Sequence, residues 1–382
     1  MGLFDKIFGN VKKPAGRDRG WFEMLNGYVP VFTTWTGDIY ERELVRASID
    51  ARARHISKMD VTLLGTAKKG LRSKLETAPN EWQTWSQFFY RLSSILDVYN
   101  TAVIVPVYNE YGDATGIYPI LPLRTELVDY RGTPYVRFHF TNGDTGAIEL
   151  VNVGIMTKFQ LRNDLFGESN SALFPTMELM HIQDQAIEEG VKSSASYRFM
   201  ATASNFANEV DLVEERKRFS RENLQEGGGI LLFPTTYKDI KQIESRPFVV
   251  DSDQMKLIQT NVYNYFGVNE DVLQNKAYGD KWSAFYEGAI EPFAKQFSEV
   301  TTKMLFTLRE RELGSGIMAT SDKLQYMSNA DKLAVSAQMA DRGLMTRNEI
   351  RGIWNLPPLP AEIGDQLPVR GEYYNLGENE NE

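Results

Sequence analysis

The side chains most often used in catalysis are present, but none stands in a catalytic spacing. The three histidines have no second metal ligand at a suitable spacing, which predicts structural or surface roles for His55, His139 and His181. The glycine triplet at 227–229 is followed by isoleucine, not by the lysine and hydroxyl residue of a phosphate-binding loop. Ser169 lacks the second glycine of a nucleophile elbow. No acid–base pair of carboxylates stands out, so the sequence predicts a non-enzyme without catalytic residues, cofactor or metal.

One polar segment, residues 268–281, could contact nucleic acid without catalysis. Four of its side chains can donate hydrogen bonds to phosphate oxygens, namely Asn275, Lys276, Tyr278 and Lys281. Contacts of this kind do not depend on the base sequence. The alternative is an ordinary solvated loop, and both interpretations stay open on these residues alone.

Composition limits the classes of protein that the chain could be. Its 382 residues suffice for two or three domains with a substantial core. The 42 basic and 51 acidic residues give a net charge of −9, which argues against gripping nucleic acid over the whole surface. The absence of cysteine excludes disulfides and thiol chemistry. No apolar run is long enough to cross a bilayer and the first residues lack a signal-peptide core, so we expect neither secretion nor a membrane partner.

Helical and strand patterns alternate in the first half of the chain. Apolar residues at helical spacing predict helices over 42–59 and 82–98, with a strand over 60–64 between them. The aromatic stripe of the second helix indicates core packing. Four strands with glycine-bearing turns are then predicted, in the segments TAVIVPVY, YVRFHF, AIELV and GIMTKF. Residues 167–175 are predicted to form a loop.

The middle of the chain predicts a long helix followed by a small α+β insertion. Apolar residues recur at nearly every fourth position over 176–206, which indicates a helix of about thirty residues. A polar helix over 211–222 and a strand over 230–233 are expected on either side of the glycine triplet.

Two further long helices are predicted on either side of the polar segment. The first begins at a cap candidate in residues 251–252 and ends before Gly267. The second covers 283–308, and we expect a kink near Gly288 because Pro292 removes a helical hydrogen bond and clashes with the preceding turn.

Two shorter helices are predicted near the end of the chain. One covers 330–341 and is stopped by Gly343. The other opens at a capping box over 346–349 and ends before the prolines at 357–358. The acidic tail at 377–382 is expected to be disordered.

The order of these motifs resembles that of phage portal proteins of the HK97 type over nearly the whole chain. The opening MGLFDKIFG, the helix and strand ELVRASIDARARHISKMDVTLL, and Pro79-Asn80 with YNTAVIVPVYNEYGDATGIYPILPL are similar to the start and wing of that family. NDLFGESNSALFP resembles the family's junction before the stem. FGVNEDVLQ, the polar segment, EGAIEPF and GLMTRNEIRGIWNLPPLP resemble the stem end, the tunnel loop, the helix after it and the C-terminal segment. Each motif is weak alone, whereas their order and spacing together are specific.

The sequence departs from the family pattern at two places. Tyr99 stands where the family often has glycine, and Asn269-Glu270 replaces a common proline after FGV. The first departure bears on a wing turn and the second on the start of the tunnel loop. Neither removes a charge or helix that the family's function needs.

The resemblance implies an α+β portal fold in a ring-forming oligomer. Its parts would be an N-terminal arm, an α/β wing, long stem helices around a small α+β clip, a tunnel loop, a long kinked helix with a wing return, a helical crown and a C-terminal tail. The implied ranges are 1–16 for the arm, 17–174 for the wing, 175–207 and 248–267 for the stem helices, 208–247 for the clip, 268–282 for the tunnel loop, 283–328 for the kinked helix and wing return, 329–356 for the crown and 357–382 for the tail.

The resemblance also implies a function and a set of partners. The chain would form a ring, usually dodecameric, at one capsid vertex of a tailed phage, through which double-stranded DNA enters during packaging and leaves during ejection. Partners would be the terminase large subunit, the head–tail adaptor, the major capsid protein and the scaffold, in the virion and, during assembly, in the host cytoplasm. The tunnel-loop residues Asn275, Lys276, Tyr278 and Lys281 would make brief phosphate contacts in the channel.

Two alternatives of other classes stay open. Another head–neck component, such as an adaptor or minor capsid protein, would have little use for two stem helices, an insertion and a wing. A nucleic-acid enzyme would need clustered carboxylates or a phosphate-binding loop, and neither pattern is visible in the sequence.

Overall fold

The computed structural model describes residues 22–24, 39–194, 198–203, 237–243, 251–320, 329–354 and 356–368. The chain forms two compact units, one of Met1–Leu173 with Thr260–Glu382 and the other of Phe174–Gln259. The second unit is an insertion in the sequence of the first. The predicted N-terminal arm, polar helix at 211–222, strand at 230–233 and acidic tail at 377–382 lie outside the described residues.

The described residues form helices and strands that we number along the chain. The helices are α1 (Glu43–Ile56), α2 (Lys69–Leu75), α3 (Trp85–Tyr99), α4 (Phe174–Ser194), α5 (Ser252–Phe266), α6 (Glu270–Leu273), α7 (Asp280–Phe285), α8 (Glu291–Leu305), α9 (Leu308–Glu312), α10 (Asn329–Asp341), α11 (Arg347–Ile353) and α12 (Ala361–Gly364). The strands are β1 (Phe22–Met24), β2 (Asp60–Leu64), β3 (Thr101–Tyr108), β4 (Ala114–Ile120), β5 (Arg124–Tyr130), β6 (Thr133–His139), β7 (Thr145–Glu149), β8 (Gly154–Thr157), β9 (Arg198–Ala203), β10 (Tyr237–Ile243) and β11 (Gly316–Thr320).

Two antiparallel sheets share a core in the larger unit. Their strand orders are β4-β3-β8 and β1-β5-β6-β7. Strand β3 is buried over its first seven residues, as expected for a central strand that reads as a continuous apolar run. The shared core is made by buried side chains of both sheets and the segment before β8, namely Val103, Val105, Val107, Ile120, Val136, Phe138, Ile148 and Val153.

Four of the six strands from β3 to β8 were predicted and are confirmed. β4 and β5 were not predicted, because ATGIYPI contains glycine and proline and RTELVDY is interrupted by charges. The strongest predicted turn, Asn142-Gly143, lies between β6 and β7, and Gly143 has a φ of 86° there.

An aromatic cluster joins α3 to α8. The ring centroids of Phe89 and Phe297 lie 4.9 Å apart, and those of Phe89 and Phe293 lie 6.3 Å apart. Trp85 stacks on Phe89 at 5.5 Å, and its indole N–H donates to the Leu75 carbonyl at 2.9 Å. The aromatic stripe predicted on α3 is therefore core, as the sequence indicated.

The larger unit also contains a two-stranded sheet, made by β2 and β11. β2 pairs antiparallel with β11, from Leu64 opposite Gly316 to Asp60 opposite Thr320. α8 packs along β11, where the Thr302 hydroxyl accepts a hydrogen bond from the Ile317 amide at 2.9 Å. The strand at 60–64 is confirmed, whereas β11 and the short α2 were not predicted.

The smaller unit corrects the prediction of a thirty-residue helix. α4 begins at Phe174, inside the predicted loop, with Pro175 in its first turn, where proline needs no hydrogen-bond partner. The segment from Arg198 is strand β9, which pairs antiparallel with β10. The helix prediction is wrong there because Phe199 and Ala203 are four residues apart, a spacing that fits one face of a helix and one face of a strand equally.

The helices that flank the polar segment largely follow the prediction. α5 begins at Ser252 and ends before Gly267, whose φ is 68°. The predicted third helix is divided into α7, a π-helical turn at Tyr286–Ile290 and α8, so the α-helical pattern is interrupted where the kink near Gly288 was expected. α8 ends at Leu305 and not at residue 308.

The C-terminal helices begin and end near their predicted limits. α10 covers Asn329–Asp341 and is followed by Gly343 with a φ of 65°. The capping box at the start of α11 is present, with Thr346 and Glu349 bonding each other's backbone. Among the described residues, no helix combines the length and apolar character that crossing a bilayer requires.

Candidate functional site

The polar segment connects α5 to α7 through one short helix and a turn. The side chain of Asn269, one of the two departures from the family pattern, caps α6 by accepting from the Val272 amide at 2.9 Å. Residues 274–279 are not helical, and α7 begins at Asp280. The prediction that the segment is not one continuous helix is confirmed. The short helix α6 was not predicted.

Buried apolar side chains hold both ends of this segment. Val268 and Val272 are 4% and 1% exposed before the turn, and Trp282 is 6% exposed after it. The turn between them contains Asn275, whose φ of 57° is tolerated by asparagine. We call residues 274–281 the loop tip, because they project polar groups from these apolar ends.

The four predicted contact residues all lie in the loop tip. Asn275 and Tyr278 are exposed, Tyr278 at 72%. The Lys276 ammonium donates to the Gln274 side-chain oxygen at 2.6 Å. The Lys281 ammonium forms an ion pair with Asp271 at 2.6 Å, with both side chains substantially exposed. Asn275, Lys276 and Tyr278 therefore lie between α6 and α7, and Lys281 lies in the first turn of α7.

The charge of this region is balanced and slightly acidic. Residues 270–281 contain two lysines against the carboxylates of Glu270, Asp271 and Asp280. An exposed ion pair such as Lys281–Asp271 contributes little stability and exchanges partners readily. The loop tip therefore offers cations without concentrating positive charge.

The predicted structural roles of the histidines agree with their surroundings. His55 packs edge-on against Trp282 at 4.7 Å, and burial together with Lys58 and Arg54 lowers its pKa to about 4. His139 lies 3.3 Å from the Glu126 carboxylate, and His181 contacts Gln185 on α4 at 3.2 Å. Among the described residues, no group of three or more histidines and carboxylates is arranged to hold a metal ion.

A buried polar cluster next to this segment was missed by the sequence reasoning. Arg52 and Lys158 both donate to Oδ1 of Asp97, the lysine at 2.7 Å. Arg52 also donates to the carbonyl of Ala289 in the π-helical turn, at 3.3 Å from Nε and 3.1 Å from Nη2. Burial lowers the pKa of Lys158, an effect that Asp97 opposes and Arg52 reinforces.

The sequence does contain a signal for this cluster. Arg52 lies three residues after Ile49 and four before Ile56, on the apolar face of α1. Asp97 lies eight residues after Phe89, on the buried face of α3. A charged residue in an apolar stripe must be paired, so opposite charges on two such stripes predict a contact.

A second buried network fixes the junction before α4. The Asn100 amide donates to the Asn170 side-chain oxygen at 2.6 Å, and the Tyr265 hydroxyl donates to the same oxygen at 2.6 Å. Asn170 in turn donates to the carbonyl of Val98 at 2.7 Å. Gly167 lies so close to Asn100 that an added Cβ would meet its carbonyl oxygen at 2.1 Å. The polar junction noted in the sequence is thus a tightly packed corner.

Comparison with known proteins identifies the family. The family model for phage portal proteins matches residues 43–355, which is most of the chain. The chain belongs to the phage portal protein family. This assignment confirms the α+β portal fold that the sequence predicted, places the chain in a family of structural proteins, and favours a portal over an adaptor.

Solved structures share the portal fold at low identity. A chain of the native gene transfer agent virion is 15% identical, with a TM-score of 0.60, 87% of this chain covered and 96% of that one. A chain from the neck of the native particle, computed with C12 symmetry, is 15% identical with a TM-score of 0.54, at 84% and 92% coverage. An HK97-family phage portal protein from Corynebacterium diphtheriae is 10% identical with a TM-score of 0.50, at 77% and 96% coverage. A search of curated proteins found no match.

Proposed function

We propose that this portal protein forms a closed ring of twelve subunits at one vertex of a tailed-phage capsid. Double-stranded DNA would enter through the ring during packaging and leave through it during ejection. The observation that carries the proposal is the family match over residues 43–355. It is supported by the likeness to chains from particle necks computed with C6 and C12 symmetry.

We further propose that the loop tip meets DNA at the narrowest part of the channel. Asn275, Lys276, Tyr278 and Lys281 would make brief phosphate contacts there. Each phosphate neutralised by a fixed cation releases counterions and adds affinity, so a strongly basic lining would hold the duplex fast. A loop whose two lysines are offset by neighbouring carboxylates permits contact and sliding, as passage through a ring requires.

The remaining segments are assigned to partners in the assembled particle. The clip at 208–247, of which the structure describes only β10, would meet the terminase large subunit and later the head–tail adaptor. The wing at 17–174 would face the major capsid protein and the scaffold. The ring would be made in the host cytoplasm and remain at the portal vertex of the virion.

The proposal is tested by reversing the charge of the loop tip. We expect Lys276→Glu with Lys281→Glu to reduce DNA packaging or genome retention at least about tenfold, because two phosphate contacts are replaced by repulsion. A matched control is Lys295→Glu with Lys303→Glu, which makes the same charge change on the exposed face of α8. Electron microscopy and native mass spectrometry should show closed rings for the wild type and both variants.

The outcomes separate the two parts of the proposal. Normal packaging by the loop-tip variant would refute the assignment of this loop to DNA. A wild-type protein that remains monomeric at low and moderate salt and also fails to form rings with capsid partners would refute the ring.

A further inference from the structure

Arg52 on α1 connects α3 to the π-helical turn that follows α7. Its guanidinium is buried, with a side chain 7% exposed. One nitrogen donates to Asp97 on α3, and two donate to the Ala289 carbonyl in the π-helical turn. A single side chain therefore ties α1, α3 and the turn together.

Asp97 has acceptor capacity that this arrangement does not use. Its side chain is fully buried, and its Oδ1 receives the hydrogen bonds of both Arg52 and Lys158. No described residue donates to its Oδ2. A buried carboxylate oxygen without a hydrogen-bond donor destabilises the folded protein. A donor that reached Oδ2 of Asp97 would therefore be held there favourably.

The π-helical turn that Arg52 contacts and the loop tip lie at the two ends of α7. His55, one helical turn after Arg52 on α1, contacts the rings of Trp282 at 4.7 Å and Phe285 at 5.6 Å. These aromatic residues are in α7, between the loop tip and the π-helical turn. The loop tip, α7 and the π-helical turn are consecutive in the chain, and His55 holds α7 against α1.

We propose that Arg52 is a two-position latch that positions the loop tip. In the observed position its guanidinium bridges Asp97 and the Ala289 carbonyl. In the second position it donates to both oxygens of Asp97 as a bidentate pair and releases Ala289. The functional meaning of the latch depends on the channel role proposed above for the loop tip, whereas its existence does not.

The chemistry of the two positions makes both attainable. A guanidinium has five donors in a planar fork that matches a carboxylate bidentately, so the second position satisfies Oδ2. In the second position the Ala289 carbonyl loses the hydrogen bonds from Arg52. This carbonyl lies in a π-helical turn, which holds one more residue than an α-helical turn and can rearrange. Two discrete hydrogen-bond patterns of this kind give a switch and not a continuous deformation.

The test compares Arg52→Lys with Arg54→Lys in the full-length protein without DNA. Lysine at position 52 keeps the charge beside Asp97 but cannot fork between a carboxylate and a carbonyl. Arg54 is the matched control, because its pair with Asp50 at 2.9 Å is at the surface. The first readout is hydrogen exchange of amides 280–291. The second is the mobility of a spin label at Tyr278→Cys, which is site-specific because the chain has no cysteine.

We expect Arg52→Lys to accelerate exchange of amides 280–291 about tenfold and to increase label mobility, while the amides of β3 keep their protection. Arg54→Lys should change neither readout. Unchanged exchange, or equal acceleration in β3, would overturn the latch, since the second result is what a purely structural arginine produces. Because no DNA is present, these results do not depend on whether the charge-reversal test succeeds.

A second variant decides the question if Arg52→Lys does not fold. Gly288 lies in the turn, and a Cβ added there meets nothing within 4 Å. Gly288→Ala favours helix, so exchange of amides 286–291 should slow about fivefold and label mobility at position 278 should fall with it. Slower hydrogen exchange in the turn with unchanged label mobility at position 278 would refute the coupling between the turn and the loop tip.

Discussion

Two lysine–aspartate pairs in this portal protein have nearly the same length but different surroundings. Lys158 lies 2.7 Å from Asp97, with side chains 19% and 0% exposed. Lys281 lies 2.6 Å from Asp271, with side chains 64% and 36% exposed. A distance alone therefore does not reveal what an ion pair does. The buried pair holds α3 against the segment after β8 and is costly to break, whereas the exposed pair is cheap to break and leaves its lysine available to a partner.

The largest expected effect comes from removing the buried carboxylate charge. Asp97→Asn should lower the free energy of unfolding by about 3–5 kcal/mol, because Arg52 and Lys158 would remain buried without a counter-ion. Asp271→Asn is the matched control, and we expect it to change stability by less than about 1 kcal/mol. Urea unfolding of both variants measures the difference. Equal losses would show that burial does not distinguish the two pairs.

The next effect tests the packing around the buried pair. In Gly167→Ala the new Cβ would lie 2.1 Å from the Asn100 oxygen and 2.3 Å from the Lys158 oxygen, so backbone must move. We expect a loss of about 3 kcal/mol in unfolding free energy. Gly70→Ala is the control, since its Cβ would meet nothing within 4 Å and alanine favours helix α2. A loss below about 1 kcal/mol for Gly167→Ala would mean that this corner is loosely packed.

A smaller effect concerns the pH dependence of stability and His55 on α1. The pKa of His55 is lowered from 6.5 to about 4 by burial and neighbouring cations. Between these values the unfolded chain binds a proton that the folded protein does not, so stability falls as pH drops from about 6.5 to about 4. Because the ring is partly exposed, we expect about 1 kcal/mol from this residue. His55→Phe should flatten the pH dependence by that amount, and an unchanged slope would contradict the assignment.

The sequence predicted elements well where one periodicity dominates. α1, α3 and α5 have apolar stripes with clear limits, and the cap at Thr346 is a local pattern that needs no tertiary information. β9 was mistaken for helix because its apolar spacing suits both structures. β11 is short, and it is defined by pairing with β2, which no local pattern contains.

The exposed part of the candidate site was easier to predict than the buried part. The loop tip is contiguous in sequence, so its polar composition located Lys276, Tyr278 and Lys281 together. The buried cluster draws Arg52, Asp97 and Lys158 from three separate elements: the apolar faces of α1 and α3 indicate that Arg52 and Asp97 need partners, but the contribution of Lys158 is visible only in the fold. A site made by one contiguous segment can therefore be located from its residues, whereas a site made by several segments depends on how the topology brings them together.

The pairing of β2 with β11 has a consequence for how the protein is made. Leu64 pairs with Gly316, which lies about 250 residues later in the chain. These residues must leave the ribosome before the sheet can form. Until then β2 is an unpaired strand edge, which favours association with other chains. Closure of this sheet would therefore come late in synthesis, so that only completed subunits would enter the ring proposed above.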